Sequence, residues 1–203
     1  MKKKLAVFVS GGGTDLQSVI DAVEKGYIGN AEISIVVSSN KNAYALTRAE
    51  NSGIRAEVYS KADFGGDENA MFEALEEHLI EMQIDFIILA GYLRILPPFF
   101  VRAFENRIIN VHPSLIPKYC GDGFYGMRVH EAVIAAGEKE SGATVHFVDE
   151  GTDTGKIILQ EKVKVYENDT PETLQKRVLE LEHKILPKAV KLLTEGKIGV
   201  TDY

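Results

Sequence analysis

The sequence predicts an α/β protein built on a doubly wound, mostly parallel, Rossmann-like sheet. Three observations predict it. Short apolar runs alternate with helical patterns through the first two thirds of the 203 residues. The run at 86–90 (Phe-Ile-Ile-Leu-Ala) is apolar throughout, as in a strand covered on both faces. The last third changes character: paired strands, one of them alternating polar and apolar in Lys162-Val163-Lys164-Val165, precede one long helical stretch. Antiparallel C-terminal strands and a long C-terminal helix therefore complete the expected fold.

The elements follow in order. Residues 5–9 read as the first strand. Residues 14–25 read as a helix, with Leu16, Val19, Ile20 and Val23 at 3–4 spacing. A second strand is expected at 33–37, a helix at 43–51 stopped by Gly53, and a short third strand at 56–59. The helix at 67–82 carries Met71, Leu75, Leu79 and Met82 on one face. After the fourth strand, Pro97 opens a short helix to 103, and 107–112 is the next strand. A long loop covers 113–127, a helix 129–136, and strands 143–149 and 157–165. Thr170-Pro171 supplies a cap and a first-turn proline for the last helix, which runs to about Leu193.

Length and composition fit one domain over residues 1–203, with 45% hydrophobic and 26% charged residues. A net charge of -7 argues against a dedicated nucleic-acid binder, yet allows a local site for one small phosphate. Cys120 is the one cysteine, so no intrachain disulfide forms, and a reducing cytoplasm fits. Lys2-Lys3-Lys4 precedes an apolar run too short for a signal peptide, and no run reaches membrane-spanning length. The expectation is a cytoplasmic protein with no nucleic-acid or membrane partner.

Two stretches carry chemistry. In Asn110-Val111-His112-Pro113-Ser114-Leu115-Ile116-Pro117, Asn110 and His112 point to the same side of a strand end. An amide can hold an oxyanion there, and an imidazole can move protons, which suits acyl transfer; the bland alternative is a hydrogen-bonded structural histidine. In Ser10-Gly11-Gly12-Gly13-Thr14-Asp15-Leu16-Gln17, three glycines lead into a helix N-terminus, a natural cradle for phosphate. Neither a GxGxxG nor a Walker A pattern is present, so nucleoside triphosphates are not indicated; a tight turn that binds nothing is the alternative. A third stretch, Asp149-Glu150-Gly151-Thr152-Asp153-Thr154-Gly155, offers a carboxylate for His112, which would raise the imidazole pKa and favour its protonated form. It otherwise reads as a solvated turn. Cys120 lacks a nucleophile signature, and His112, His130 and His146 lack metal-ligand spacing, so no metal is expected. His78 reads as structural, and His183 carries no signal of its own.

Together these stretches resemble the formyltransferases that use 10-formyltetrahydrofolate. The resemblance runs through the glycine turn, then Leu89-Ala90-Gly91-Tyr92-Leu93-Arg94-Ile95-Leu96, and the Asn110–Pro117 stretch quoted above. It continues through Thr144-Val145-His146-Phe147-Val148-Asp149, Asp153-Thr154-Gly155 and Ile158-Leu159-Gln160. It implies the formyltransferase version of the Rossmann-like fold, with 10-formyltetrahydrofolate as co-substrate and glycinamide ribonucleotide as acceptor. Asn110, His112 and Asp153 fall on the family's catalytic positions. The acceptor's phosphate is implied at Gly13, Thr14 and Asp15, and further acceptor contacts at Gly91, Pro113 and Glu182. The folate is implied against Leu93, Arg94, Ile95, Leu96, Val101 and Glu150. A monomer or homodimer is expected. Two stretches depart from the family pattern: Gly65-Gly66-Asp67-Glu68 offers no arginine for the folate tail, and Cys120-Gly121-Asp122-Gly123-Phe124-Tyr125-Gly126-Met127-Arg128 is longer and has added aromatics. Other acceptors on the same fold remain open: a transfer-RNA amine as in methionyl-tRNA formyltransferase, water as in formyltetrahydrofolate deformylase, or a regulator that binds without catalysis.

Overall fold

The structure, a computed structural model, describes residues 2–198. Its strands are β1 (Lys3–Val9), β2 (Ala31–Ser38), β3 (Ala56–Val58), β4 (Phe86–Leu89), β5 (Ile108–His112), β6 (Glu140–Phe147) and β7 (Ile157–Lys164). They form one sheet in the order β3-β2-β1-β4-β5-β6-β7. Pairing is parallel from β3 through β5 and antiparallel for β5–β6 and β6–β7. The helices are α1 (Thr14–Glu24), α2 (Tyr44–Asn51), α3 (Glu68–Glu81), α4 (Pro98–Ala103), α5 (Met127–Ala135) and α6 (Pro171–Thr194).

The two-residue alternation of β1 shows how the layers form. Leu5, Val7 and Val9 face a core shared with α1, α2, α5 and α6. Ala6 and Phe8 face the opposite core, shared with α3 and α4, where Phe8 meets Phe100 and Tyr92. Both faces of the central strands are thus dry, which is why their sequences read as unbroken apolar runs. Asp67 caps α3 by accepting from the backbone N–H groups of Asn69 and Ala70. Thr170 and Thr173 form a reciprocal capping box at the start of α6.

Five elements depart from expectation, β1 and β2 by starting two residues early at Lys3 and Ala31. β6 begins at Glu140 and ends at Phe147, not at 143–149. Gly142 sits inside the ladder, at a place where a side chain would collide with the Glu161 carbonyl and the Leu115 side chain. A short 3-10 turn at Lys61–Phe64 has no apolar periodicity to announce it. α5 starts at Met127, two residues before the expected 129. β7 lies at the sheet edge with most of its residues exposed or half-exposed, as its alternation implied.

Candidate active site

Strand order reverses around β1, whose neighbours β2 and β4 connect outward in opposite directions. A crevice opens at the carboxyl ends of strands at such a point. Here it is a cleft of about 650 Å³ bounded by Leu89 and Gly91 after β4, Asn110 and His112 at the end of β5, and Asp15 after β1. Glu182 on α6 closes one end, and the 149–153 loop the other side. Two serines brace the mouth: Ser10 Oγ accepts from Leu93 N at 2.9 Å and lies 2.7 Å from Ser39 Oγ.

The β5–β6 register sets Asn110 opposite His146 and His112 opposite Thr144. His146 Nδ1 lies 2.8 Å from the Phe147 carbonyl, which only accepts, so Nδ1 carries the hydrogen. In the neutral ring Nε2 is therefore bare, and it accepts from Asn110 Nδ2 at 3.2 Å. That bond fixes which way the Asn110 amide faces and leaves its second N–H free. On the neighbouring position, His112 Nε2 donates to the Tyr119 carbonyl at 2.9 Å, so neutral His112 presents Nδ1 as a lone pair.

Asp153 joins the two rings. Its Oδ2 lies 3.6 Å from His112 Nδ1, and its Oδ1 3.5 Å from His146 Nε2. Gly121 N donates to Oδ2 at 2.9 Å. Asp153 has a positive φ of 58°, which aims its side chain back into the cleft. Burial pushes its carboxyl up, but the Gly121 N–H and the two imidazoles in their protonated forms outweigh burial and hold it below the usual carboxylate range. For His112 the balance goes the other way. Burial pushes the imidazole below its ordinary value, and the pull of Asp153 and the Tyr119 carbonyl does not offset it. The expectation of a protonated resting His112 is thereby corrected: the ring is only 5% exposed, and desolvation outweighs the carboxylate.

The loop after β5 reaches back because three side chains pin it. Thr144 Oγ1 donates to the Ser114 carbonyl at 2.6 Å, Gln160 Nε2 to the Ile116 carbonyl at 3.0 Å, and Ser114 Oγ to the Lys118 carbonyl at 2.7 Å. This brings the Tyr119 carbonyl to His112 and Gly121 N to Asp153. Phe124 packs edge-on against Tyr119, and Arg128 lies over the half-exposed Tyr125 ring at 4.9 Å.

Of the residues expected from sequence, the cleft is lined by Asp15, Gly91, Leu93, Arg94, Ile95, Leu96, Asn110, His112, Pro113, Glu150, Asp153 and Glu182. Leu93 and Ile95 are 65% and 71% exposed, so the folate wall expected there is an apolar rim open to solvent. Arg94 pairs with Glu68 at 2.8 Å, and Glu150 with Arg102 at 2.9 Å. Three expected residues do not line this cleft. Val101 is 4% exposed and packs in the α3–α4 core. Gly13 is pressed on α2: a Cβ there would lie 2.6 Å from Ala45 Cβ, and its φ of 70° also favours glycine. Thr14 lies instead on an outer groove with Arg48 and His183.

His146 and His130 were missed as site residues. His146 gave only a strand position; its signal was the predicted antiparallel pairing of β5 with β6, which a register argument could have used. His130 lines the cleft from α5 at 2% exposure, and burial, with His112 nearby, pushes its pKa down to about 4. Cys120 is no activated thiol, since burial and the Asp153 charge both push its pKa up. Among the described residues, no group of three or more His, Cys, Asp or Glu side chains is arranged to hold a metal ion.

A doubly wound sheet with an amide, an imidazole and a carboxylate meeting at its switch point defines an α/β enzyme suited to acyl-group transfer. Residues 3–190 match the formyl transferase family, and the chain belongs to that family. It is 40% identical over 200 residues to the phosphoribosylglycinamide formyltransferase of Haemophilus influenzae, covering 98% of this chain and 91% of that one. It is 43% identical to the chloroplastic phosphoribosylglycinamide formyltransferase of Vigna unguiculata, with 97% of this chain spanning 62% of that longer protein. The crystal structure of glycinamide ribonucleotide transformylase 1 from Symbiobacterium toebii superposes with a TM-score of 0.91 at 38% identity, over 98% of this chain and 91% of that one.

Proposed function

We propose that this chain transfers the formyl group of 10-formyltetrahydrofolate to the amine of glycinamide ribonucleotide, releasing tetrahydrofolate and formylglycinamide ribonucleotide for purine synthesis. The observation that carries the reading is the Asn110–His112–Asp153 geometry in a cleft of about 650 Å³. The names of the relatives support the acceptor and the formyl group it receives. With the reading go one catalytic unit over residues 1–203, a cytoplasmic setting, and a monomer or homodimer.

In this mechanism the acceptor amine attacks the formyl carbon, the carbonyl π bond opens, and a tetrahedral oxyanion forms. The free Asn110 N–H donates to that oxygen. Neutral His112 takes the amine proton on Nδ1 and so becomes the second donor as the negative charge develops. Asp153, ionised beside Nδ1, stabilises the imidazolium. Collapse of the intermediate breaks the carbon–nitrogen bond to the folate, whose leaving nitrogen receives the proton from His112. Placed donors of this kind are worth roughly 3 kcal/mol of barrier each. The phosphate end is assigned to the turn of Gly13, Thr14 and Asp15, of which Asp15 alone lines the cleft; Gly91, Pro113 and Glu182 hold the acceptor, and Leu93, Arg94, Ile95, Leu96, Val101 and Glu150 face or support the folate. Val101 acts in this scheme from behind, by backing the α4 wall.

The test is the loss of 10-formyltetrahydrofolate measured with and without glycinamide ribonucleotide. Strict dependence on the ribonucleotide is expected. Equal loss without it would make water the acceptor and the chain a hydrolase, and no loss in either case would leave a binder.

A further inference from the structure

The cleft is charged the wrong way for a phosphorylated guest. Its lining carries six carboxyl groups, those of Asp15, Asp122, Asp149, Glu150, Asp153 and Glu182, against the single guanidinium of Arg94, which Glu68 already holds at 2.8 Å. Two of the six, Asp15 and Glu182, stand at the end where the glycine turn opens. Glu182 is 7% exposed, and no side-chain hydrogen bond or ion pair serves its carboxyl. Asp15 Oδ1 is buried without a hydrogen-bond partner and lies 3.7 Å from His183 Nε2, likewise unpartnered. Arg48 on α2 is committed elsewhere, with Nε donating to the Gly12 carbonyl at 2.8 Å and a second nitrogen to Gln17 Oε1 at 3.2 Å.

A dianionic phosphate brought to this end of the cleft meets the Asp15 carboxylate, and like charges in a buried setting repel strongly. One proton converts that repulsion into a donated hydrogen bond. We propose that the phosphate end of the acceptor is bound together with one proton from solvent, carried on Asp15 and donated to a phosphate oxygen. The inference rests on the acceptor of the proposed function.

The groups around Asp15 fit this role. Glu182 and His183 face it from α6, and Arg48 stands by the turn from α2. Burial, then the charge of Asp15, raises the Glu182 carboxyl well above its ordinary value and so favours its neutral form. Burial and Arg48 push His183 down, so it is neutral above pH 7. Asp15 itself is raised by burial to about 6, so it is ionised in the free protein at pH 7.5 and is the group that changes state.

The experiment is calorimetric titration of the whole chain with glycinamide ribonucleotide, without folate, at pH 7.5 in two buffers of different ionisation enthalpy. About one proton taken up per ribonucleotide is expected, with affinity falling roughly tenfold per unit between pH 7 and 8.5, where the phosphate (second pKa near 6) is already ionised. Asp15→Asn, which donates without a proton, is expected to bind with no proton uptake and a flat profile. Wild-type binding with no proton uptake, or an unchanged pH slope in Asp15→Asn, overturns this inference and leaves the proposed acceptor standing. Absence of binding at every pH overturns both.

Discussion

The two ends of the cleft are built on opposite terms. At the β5 end, protein groups satisfy the three side chains proposed to react: His146 holds Asn110, the Tyr119 carbonyl holds His112, and Gly121 N holds Asp153. At the glycine-turn end, Asp15 Oδ1 and His183 Nε2 are buried without hydrogen bonds, and Glu182 is buried beside them. A polar group left unsatisfied in this way costs about 1–3 kcal/mol until a partner arrives. The satisfied end keeps its geometry before any ligand enters. The unsatisfied end gains most when one does. Preorganisation at one end and recognition at the other are thus divided along a single cleft.

The division is broken most severely by Asp153→Asn. The amide keeps the shape but removes the charge between two imidazoles, and kcat is expected to fall on the order of a thousandfold. KM for the ribonucleotide should stay within a few-fold, since Asp153 is at the other end. A large change in KM with kcat preserved would show that the ends are not separable. A smaller effect is expected from His146→Ala, which frees the Asn110 amide to rotate: kcat falls roughly ten- to a hundredfold. His146→Gln, which can restore an acceptor for Asn110, should recover part of the loss; no recovery would remove the positioning role.

The smallest effect concerns stability. The folded pKa of Asp15 is raised from 3.8 to about 6, so the stability linked to its proton is fully present below 3.8 and lost as pH rises through 6. Asp15→Asn avoids that loss. Its Tm is expected to exceed wild type by several degrees at pH 7.5, a figure reduced by the missing negative charge in the first turn of α1, and to match wild type near pH 3.8. A lower Tm than wild type at pH 7.5 would mean the buried carboxylate is stabilising, against the contrast drawn above.

Much of the fold was legible because its signals are local. Apolar runs marked the central strands, and Thr170-Pro171 marked α6. What failed was either a glycine whose meaning is tertiary, as at Gly142 in β6, or a turn without periodicity, as at Lys61–Phe64. In the site, the two-residue spacing of Asn110 and His112 made them legible as a same-side pair at a strand end, and their proposed roles came from the family resemblance. His146 was not, because its place beside Asn110 depends on antiparallel register, and the protonation of His112 was misjudged because burial cannot be read from its neighbours in the chain. Val101 was expected at the cleft, but the short helix α4 turns it inward.

The loop after β5 is anchored to the reacting groups through Tyr119 and Gly121, and helix α5 begins at Met127. The five residues between the second anchor and the helix make only one weak tie back to the 149–153 loop, Thr152 Oγ1 to Asp122 Oδ1 at 3.5 Å. A second link runs through the Phe124 ring, packed edge-on against Tyr119, and the Phe124 N–H, which donates to the Gly121 carbonyl. The lip of the cleft is thereby wired to the same two residues that hold His112 and Asp153, so a change at the rim is felt at the floor.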